Sequence, residues 1–253
     1  MTSPAGTSLA GRAAIVTGSA RNIGRATALM LAREGASIMV HARQDAEGVA
    51  ETRAQLEAAG AKADTHLADL TTEVGAEGLI SATVARFGRL DILVNNAAIR
   101  RNQPFTEITL ADWHAVLAGS LDCAFLCARF AVPHMRKEKW GRIVNLGGIT
   151  MFRGIPGRAH VAAAKAGMIG LTRVLASELG PDGITCNIVA PGVIDTVRGA
   201  AAGHRPARLD AGIPLGRDGT PDEIAHVVVM LCRPDGGYTT GQIIEVNGGS
   251  HYS

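Results

Sequence analysis

The chain has 253 residues, of which 47% are hydrophobic and 19% charged, so it is long enough for one large domain with a full core or for two small ones. Its formal net charge is only +2, without a basic block or an acidic tail, which argues against a nucleic acid partner. We find no apolar run of membrane-spanning length and no signal-peptide core in the start MTSPAGTSLAGR, so we expect no membrane partner and a cytoplasmic location.

Apolar segments with strand character alternate with helical segments along the chain. Strands are predicted at 13–17, 37–42, 63–70, 91–97, 141–148, 184–192 and 242–249. Helices are predicted at 24–35, at 45–60, through 79–88, from about 110 to 135, around Lys165 as far as about Leu179, and at 221–232. Strands this apolar, alternating with helices, indicate a single α/β domain whose parallel sheet is covered on both faces. The glycine- and alanine-rich stretch 195–215 is predicted to be a mobile substrate lid.

The four cysteines give no indication of a metal site. Cys123 and Cys127 are one helical turn apart, a spacing that is more typical of a core face than of a ligand pair. Because no histidine or carboxylate stands at ligand spacing from them, we predict that no metal is bound.

The turn between the first strand and the first helix reads TGSARNIG (17–24), with Gly18 and Gly24 on either side of Asn22. Glycine lets the main chain approach a pyrophosphate closely, and the N-terminus of the following helix attracts its negative charge. Glycine-rich turns before helices also arise for steric reasons alone. The position of this turn between a strand and a helix nevertheless favours a dinucleotide site.

Several spaced motifs resemble those of the short-chain dehydrogenase/reductase family over nearly the whole chain. TGSARNIG resembles the family's TGxxxGxG turn, ADL (68–70) its adenine-contacting segment, and NNAA (95–98) its NNAG strand end. IVAPGVIDT (188–196) resembles the nicotinamide-side PG motif, and the region from IPLGRDGTPDEIA to TGQIIEVNGG resembles the family's C-terminal part. The resemblance implies a Rossmann-type, doubly wound parallel sheet of seven strands, a small-molecule substrate, and a homotetramer, with a dimer as the second possibility.

The same resemblance implies which residues bind the dinucleotide. They lie in the glycine turn, at the ends of the following strands, on the Lys165 helix and in the PG motif: Gly18, Arg21, Asn22, Ile23, Gly24, Arg43, Asp69, Leu70, Asn95, Ala97, Lys165, Pro191, Gly192, Ile194 and Thr196.

The end of the second strand indicates the type of dinucleotide. A carboxylate there would bind the adenine-ribose hydroxyls and repel a 2′-phosphate, but this chain has Ala42 followed by Arg43. Arg21 in the glycine turn is a second guanidinium within reach, and such groups suit a phosphate. Two cations and no acid at this corner favour NADP(H) over NAD(H), although both arginines would also be ordinary as solvated surface charges. Asn22 stands where the family usually has glycine, and asparagine tolerates left-handed backbone angles better than most residues.

The proton-transfer residues of the family are mostly replaced in this chain. In the family, a tyrosine one helical turn before a lysine exchanges a proton with the substrate oxygen, an upstream serine polarises the carbonyl, and an asparagine supports a proton relay. The lysine holds the nicotinamide ribose, and Lys165 in HVAAAKAG (160–167) matches it. The tyrosine position is Val161, the serine position is Gly148, and the asparagine position is Ser120.

Other side chains are candidates for the missing roles. Thr150, two residues beyond Gly148, could present a hydroxyl on the same wall, and Ser120 could hold a water. His160 adjoins Val161, but one residue turns a helical side chain by about 100°, so we expect a solvent-exposed or interface histidine. Of the two tyrosines, Tyr238 lies in an ordinary structural region, and Tyr252 lies on a tail that could approach a neighbouring subunit.

Three functions therefore remain open from the sequence. The first is an oxidoreductase that acts on a carbonyl or alcohol with a substitute proton donor. The second is a non-redox enzyme on the same fold, such as a lyase, hydratase or isomerase. The third is a catalytically silent cofactor-binding subunit, and fold alone does not choose among the three.

Overall fold

The structure of the protein is a computed structural model that describes residues 8–197 and 212–252. Seven parallel strands form one sheet with the order β3-β2-β1-β4-β5-β6-β7. The order runs outward in both directions from β1 and β4, so the sheet is doubly wound and the predicted fold class is confirmed. The strands are β1 Ala13–Val16, β2 Ser37–Ala42, β3 Ala63–Leu67, β4 Ile92–Asn95, β5 Gly141–Leu146, β6 Ile184–Pro191 and β7 Ile243–Val246.

Helices cover both faces of this sheet. They are α1 Asn22–Arg33, α2 Ala46–Ala58, α3 Glu73–Phe87, α4 Leu110–Leu117, α5 Cys123–Glu138, α6 Ala159–Leu179 and α7 Pro221–Cys232. Successive residues of a strand point to opposite sides, so in β1 Ala14 and Val16 pack with α1, α2 and α7, whereas Ile15 packs with α3, α5 and the end of α6. Both layers are apolar, as expected for a parallel sheet that is buried on two sides.

The long helix expected from about 110 to 135 is two helices joined by one turn of π-helix, Ala118–Asp122. A Cβ at Gly119, the second residue of this turn, would clash with the end of the Ile99 side chain, so a larger residue fits there only if Ile99 shifts. The neighbouring Ser120 is buried in the same turn. The periodicity of apolar residues does not reveal such a one-residue insertion, because each half keeps its own helical pattern.

Several strands end earlier than expected, at the edge where their carboxyl ends meet. The apolar pattern extends β4 to 97 and β5 to 148, but they end at Asn95 and Leu146. Beyond β4, the main-chain N–H groups of Asn96 and Ala97 donate to Oγ1 of Thr17 instead of continuing the ladder. Asn96 and Ala97 therefore line a cavity at this edge instead of extending β4.

One expectation about membrane-spanning length was too strong. The stretch Leu110–Glu138 has 29 residues and a mean hydropathy of 1.7 in its most apolar window, which is long and apolar enough to cross a membrane by length and composition. Half of that window is buried inside the fold, as in core helices that pass the same test.

Most of the predicted substrate lid, residues 198–211, lies outside the described residues.

Candidate dinucleotide and active site

A cavity of about 580 Å³ opens at the carboxyl edge of the sheet, beside the turn that connects β1 to α1. Such a crevice, where the strand order reverses, is the usual ligand site of an open α/β sheet. Of the residues predicted to bind a dinucleotide, the cavity is lined by Gly18, Arg21, Asn22, Ile23, Gly24, Arg43, Asp69, Leu70, Ala97 and Thr196. Asn95, Lys165, Pro191, Gly192 and Ile194 are not part of its lining.

The turn after β1 requires glycine at two positions. Gly18 has a φ of 64°, and a Cβ at Gly24 would clash with the carbonyl oxygen of Gly18. Helix α1 then begins without a side-chain cap and without an acidic residue in its first turn. Its N-terminal N–H groups and the positive end of its dipole therefore suit an anion such as the pyrophosphate of a dinucleotide. Asn22 has a φ of 52°, so the turn keeps a left-handed residue where the family has glycine.

The part of the cavity beside the end of β2, where an adenine ribose is expected, holds acidic groups as well as the two predicted cations. Arg21 and Arg43 both line the cavity, but so do Asp45 and Asp69, which corrects the expectation of a corner without acid. Both carboxylates have partners: Asp45 caps α2 by accepting from the N–H of Gly48, and Asp69 lies 3.9 Å from the Arg43 guanidinium. The pKa of Asp69 is lowered, chiefly by hydrogen bonds from the hydroxyl and N–H of Thr71 and further by the charge of Arg43.

His41, on β2, is hydrogen-bonded to the turn after β1 and is not among the residues predicted from the sequence. Its Nδ1 accepts the N–H of Gly18 at 3.2 Å, and its Nε2 lies 3.0 Å from the carbonyl oxygen of Ala68. These two partners require the neutral tautomer with the proton on Nε2. Burial lowers the pKa of His41 to about 4, so the imidazole stays neutral at physiological pH. A histidine in the otherwise apolar strand SIMVHA was the available signal.

Lys165 is buried on α6, with its Nζ donating to the carbonyl oxygen of Leu146 at the end of β5. Burial, together with the charge of Arg100, lowers the pKa of Lys165 to about 8. Val161 stands one turn before it and is also buried. Lys165 therefore remains mostly charged at neutral pH, and no proton-donating side chain stands at position 161.

Gly148 and the short 3₁₀ turn Ile149–Met151 follow β5, and this turn packs beside α6. The Thr150 hydroxyl oxygen is 3.9 Å from the place that a Cβ would take at Gly148, the position that matches the family serine. Gly148 has a φ of 157°, which side-chain-bearing residues rarely adopt. Ser120, on the π-turn, has a buried hydroxyl with no hydrogen-bond partner within the described parts of the chain.

The remaining candidates for proton transfer lie elsewhere. His160 is fully buried, and neither ring nitrogen has a hydrogen-bond partner among residues 8–197 and 212–252, so the expectation of a solvent-exposed histidine was wrong. The reason is that its ring turns inward from α6, where burial and the charge of Arg101 lower its pKa. Tyr238 and Tyr252 are both highly exposed within this single chain.

The C-terminal tail packs against the segment that follows the 3₁₀ turn Ile149–Met151, a contact between distant segments that was not predicted from the sequence. The ring of His251 stacks on Phe152 with centroids 4.8 Å apart, and Glu245 holds its Nδ1 at 2.9 Å. Arg153 donates to the carbonyl oxygen of Ser250 at 3.0 Å. The segment that carries Thr150 is therefore fixed from outside by the chain end.

Comparison with known proteins decides the family. A family model described as enoyl-(acyl carrier protein) reductase matches residues 18–251, which is nearly the whole chain. The chain belongs to the short-chain dehydrogenase/reductase family. The resemblance inferred from the glycine turn and the PG motif is thereby confirmed.

Individual family members are similar over almost their full length. The chain is 38% identical to the (2S)-[(R)-hydroxy(phenyl)methyl]succinyl-CoA dehydrogenase subunit BbsD of Thauera aromatica, over 94% of this chain and 96% of that protein. It is also 38% identical to a 3-oxoacyl-[acyl-carrier-protein] reductase of Synechocystis, over 96% and 98% of the two chains. The crystal structure of acetoin dehydrogenase from Enterobacter cloacae superposes with a TM-score of 0.87 at 39% identity, covering 95% of each chain.

The neutral state of His41 predicts how the stability of this family member depends on pH. The folded pKa of about 4 lies below the usual value of 6.5, so the unfolded chain takes up the proton first. The stabilisation is complete above pH 6.5 and is lost as the pH falls toward 4, in total roughly 3 kcal/mol of unfolding free energy. Urea unfolding at pH 7, 6, 5 and 4.5 measures this decline.

The variant His41→Gln cannot titrate in this range, so its unfolding free energy should fall less steeply over the same pH interval. His114→Gln, which changes an exposed histidine on α4 that does not act on His41, is the matched control and should keep the wild-type slope. Identical pH slopes for the wild type and His41→Gln would contradict the assignment.

Proposed function

We propose that this family member binds NADP(H) and acts as an oxidoreductase on a carbonyl or alcohol, without a tyrosine as proton donor. The proposal rests mainly on one observation. Lys165 is buried on α6, and Val161 stands one turn before it, where the family has tyrosine. Cofactor binding and proton transfer use different side chains, so the first can persist where the second is altered. The named relatives support the reaction type, since each is a dehydrogenase or a reductase.

The residues that line the cavity suit the pyrophosphate and the adenosine end of a dinucleotide, and Lys165 lies outside this lining. The glycine turn and the start of α1 would hold the pyrophosphate, and Arg21 and Arg43 would hold a 2′-phosphate at the adenosine end. Lys165 would exchange its bond to the Leu146 carbonyl for bonds to the nicotinamide-ribose hydroxyls. The nicotinamide supplies or accepts the hydride when it is bound.

The substrate oxygen has a weaker set of partners than is usual in the family. The Thr150 hydroxyl can donate one hydrogen bond to it, in the role of the family serine, while Val161 offers no proton. A positioned general acid contributes roughly 10²–10⁴ to a rate, and one donor to a developing oxyanion roughly 10²–10³. Reduction of simple ketones should therefore be slow, unless the substrate or a water supplies the proton.

A non-redox reaction is the second candidate. It is favoured because the side chains at Val161 and Gly148 are smaller than the tyrosine and serine of the family. Two small residues where the family has tyrosine and serine leave room for a larger ligand and no group for carbonyl reduction. A lyase, hydratase or isomerase would form a product with no net change in cofactor oxidation state. A silent cofactor-binding subunit would bind the nucleotide and form no product at all.

We further propose a homotetramer, with a dimer as the second possibility, in the cytoplasm. Apolar side chains are exposed on the outer surfaces of α4, α5 and α6, among them Leu110, Phe125 and Val174. Exposed apolar side chains of this size on adjacent helices are typical of subunit interfaces. A two-fold axis would bring the same helices of two subunits together.

The first prediction concerns the choice of nucleotide. NADPH should bind at least several-fold more tightly than NADH, because Arg21 and Arg43 add charge-assisted bonds to the 2′-phosphate. Arg43→Ala should weaken NADPH binding much more than NADH binding in a fluorescence titration. Arg53→Ala, which removes an exposed arginine that pairs with Glu57, should leave both affinities unchanged. An equal affinity for the two nucleotides, or a preference for NADH, would count against the proposal.

A second prediction concerns the missing proton donor. The double variant Val161→Tyr with Gly148→Ser should reduce a panel of simple ketones faster than the wild type, by a factor of about 10² or more. The gain should exceed the product of the single gains, because both hydroxyls act on one oxygen. Gly148→Ser alone should give little, because no side chain at position 161 then donates a proton.

The same steady-state assay locates the active centre. Lys165→Ala should weaken nucleotide binding in every background, including the slow wild type. Rapid ketone turnover by the wild type, unchanged by Lys165→Ala, would show that the reaction takes place elsewhere.

The assembly prediction needs only the mass of the protein in solution. Light scattering at micromolar concentration should give four times the chain mass of 26.2 kDa, or twice that mass for the dimer. A monomer mass would refute both forms.

A further inference from the structure

Asn22 makes a contact with Val197 across the cavity. The turn does not need this contact in order to bind a phosphate. The Nδ2 of Asn22 donates to the carbonyl oxygen of Val197 at 2.9 Å, and its Oδ1 accepts the N–H of Val197 at 3.0 Å. The donor and acceptor of one carboxamide thus match the acceptor and donor of one residue's main chain. This match also fixes which amide atom is oxygen and which is nitrogen.

The two residues belong to opposite sides of the cavity. Asn22 begins α1 beside the phosphate turn, and Val197 lies in the stretch that follows β6. Both line the same cavity, together with Gly18 and Thr196. The carboxamide therefore spans the groove in which the middle of a dinucleotide would lie.

The stretch after β6 is held on its far side before it reaches Asn22. Ile194 forms a β-bridge with Gly219, and the N–H of Asp195 donates to the Gly219 carbonyl oxygen at 2.8 Å. The chain then extends over the cavity through Thr196 to Val197, whose side chain is 75% exposed and so adds little packing. The hydrogen bonds to Asn22 rather than apolar contacts hold this end.

Resting on the proposed binding of NADP(H), we propose that Asn22 is a positioning residue that holds Val197 across the groove and slows the entry and release of the nucleotide. Glycine at position 22 would accept the same φ of 52° without a side chain, and it would leave the groove open. The carboxamide thus adds to the turn a closure that a glycine lacks. The two hydrogen bonds between Asn22 and Val197 must break for a nucleotide to enter or leave, and they form again over its phosphates.

The variants Asn22→Gly and Asn22→Ala test this role in the full chain. Stopped-flow displacement of bound NADPH should give a dissociation rate about tenfold higher in both variants, equivalent to ~1.4 kcal/mol in the release barrier. The association rate should rise as well, so the dissociation constant changes less than either rate. Because alanine tolerates the left-handed φ poorly and glycine tolerates it well, equal effects in the two variants assign the change to the carboxamide.

Hydrogen exchange supplies a measurement that does not depend on the nucleotide. Without any ligand, the main-chain amide of Val197 should exchange faster in Asn22→Gly than in the wild type, because it loses its acceptor. Val197→Ala keeps the main-chain groups that the carboxamide contacts, so its amide at position 197 should remain protected.

The outcomes separate this role from the proposed function. NADPH binding with unchanged rates in both variants would overturn the role of Asn22 and leave the nucleotide site intact. Unprotected exchange at the wild-type Val197 amide would overturn the contact itself. Failure of every variant and the wild type to bind NADPH or NADH would overturn the proposed function and, with it, this role.

Discussion

The N–H of Gly18 donates to the neutral imidazole of His41, and this hydrogen bond ties the turn after β1 to the neighbouring strand β2. On the other side, the Thr17 hydroxyl accepts the N–H groups of Asn96 and Ala97, which ties the same turn to the end of β4. The turn is thus braced by both strands adjacent to β1 in the sheet. These hydrogen bonds fix the position of Thr17 and Gly18 relative to β2 and β4.

Much of this arrangement could be inferred from the sequence, because it depends on local patterns. The apolar runs predicted the strands, and the motif TGSARNIG predicted the glycine turn and the start of α1. The cavity then follows from the carboxyl ends of parallel strands meeting at one edge. The family match adds that this pattern belongs to short-chain dehydrogenases/reductases.

Contacts between distant segments could not be inferred in this way. The contact of Asn22 with Val197 joins residues far apart in the chain, and so does the stacking of His251 on Phe152. The acidic partner of Arg43 was missed for the same reason, since Asp69 reaches the corner only when β2 and β3 pair. The inward direction of His160 depends on how α6 packs, which its own helical position does not determine.

The π-turn Ala118–Asp122 has a consequence for changes in chain length. One additional residue in a helix rotates everything after it by about 100°, so the segment from Leu110 to Glu138 presents two different faces along its length. The first half packs against α6, and the second against α3 and the sheet. Deleting a single residue within the turn would restore a regular helix and turn buried Cys127 and Met135 away from the core. Surface loops tolerate an insertion or deletion of one residue. The middle of this helical segment should not, because such a change would disrupt the packing of the core.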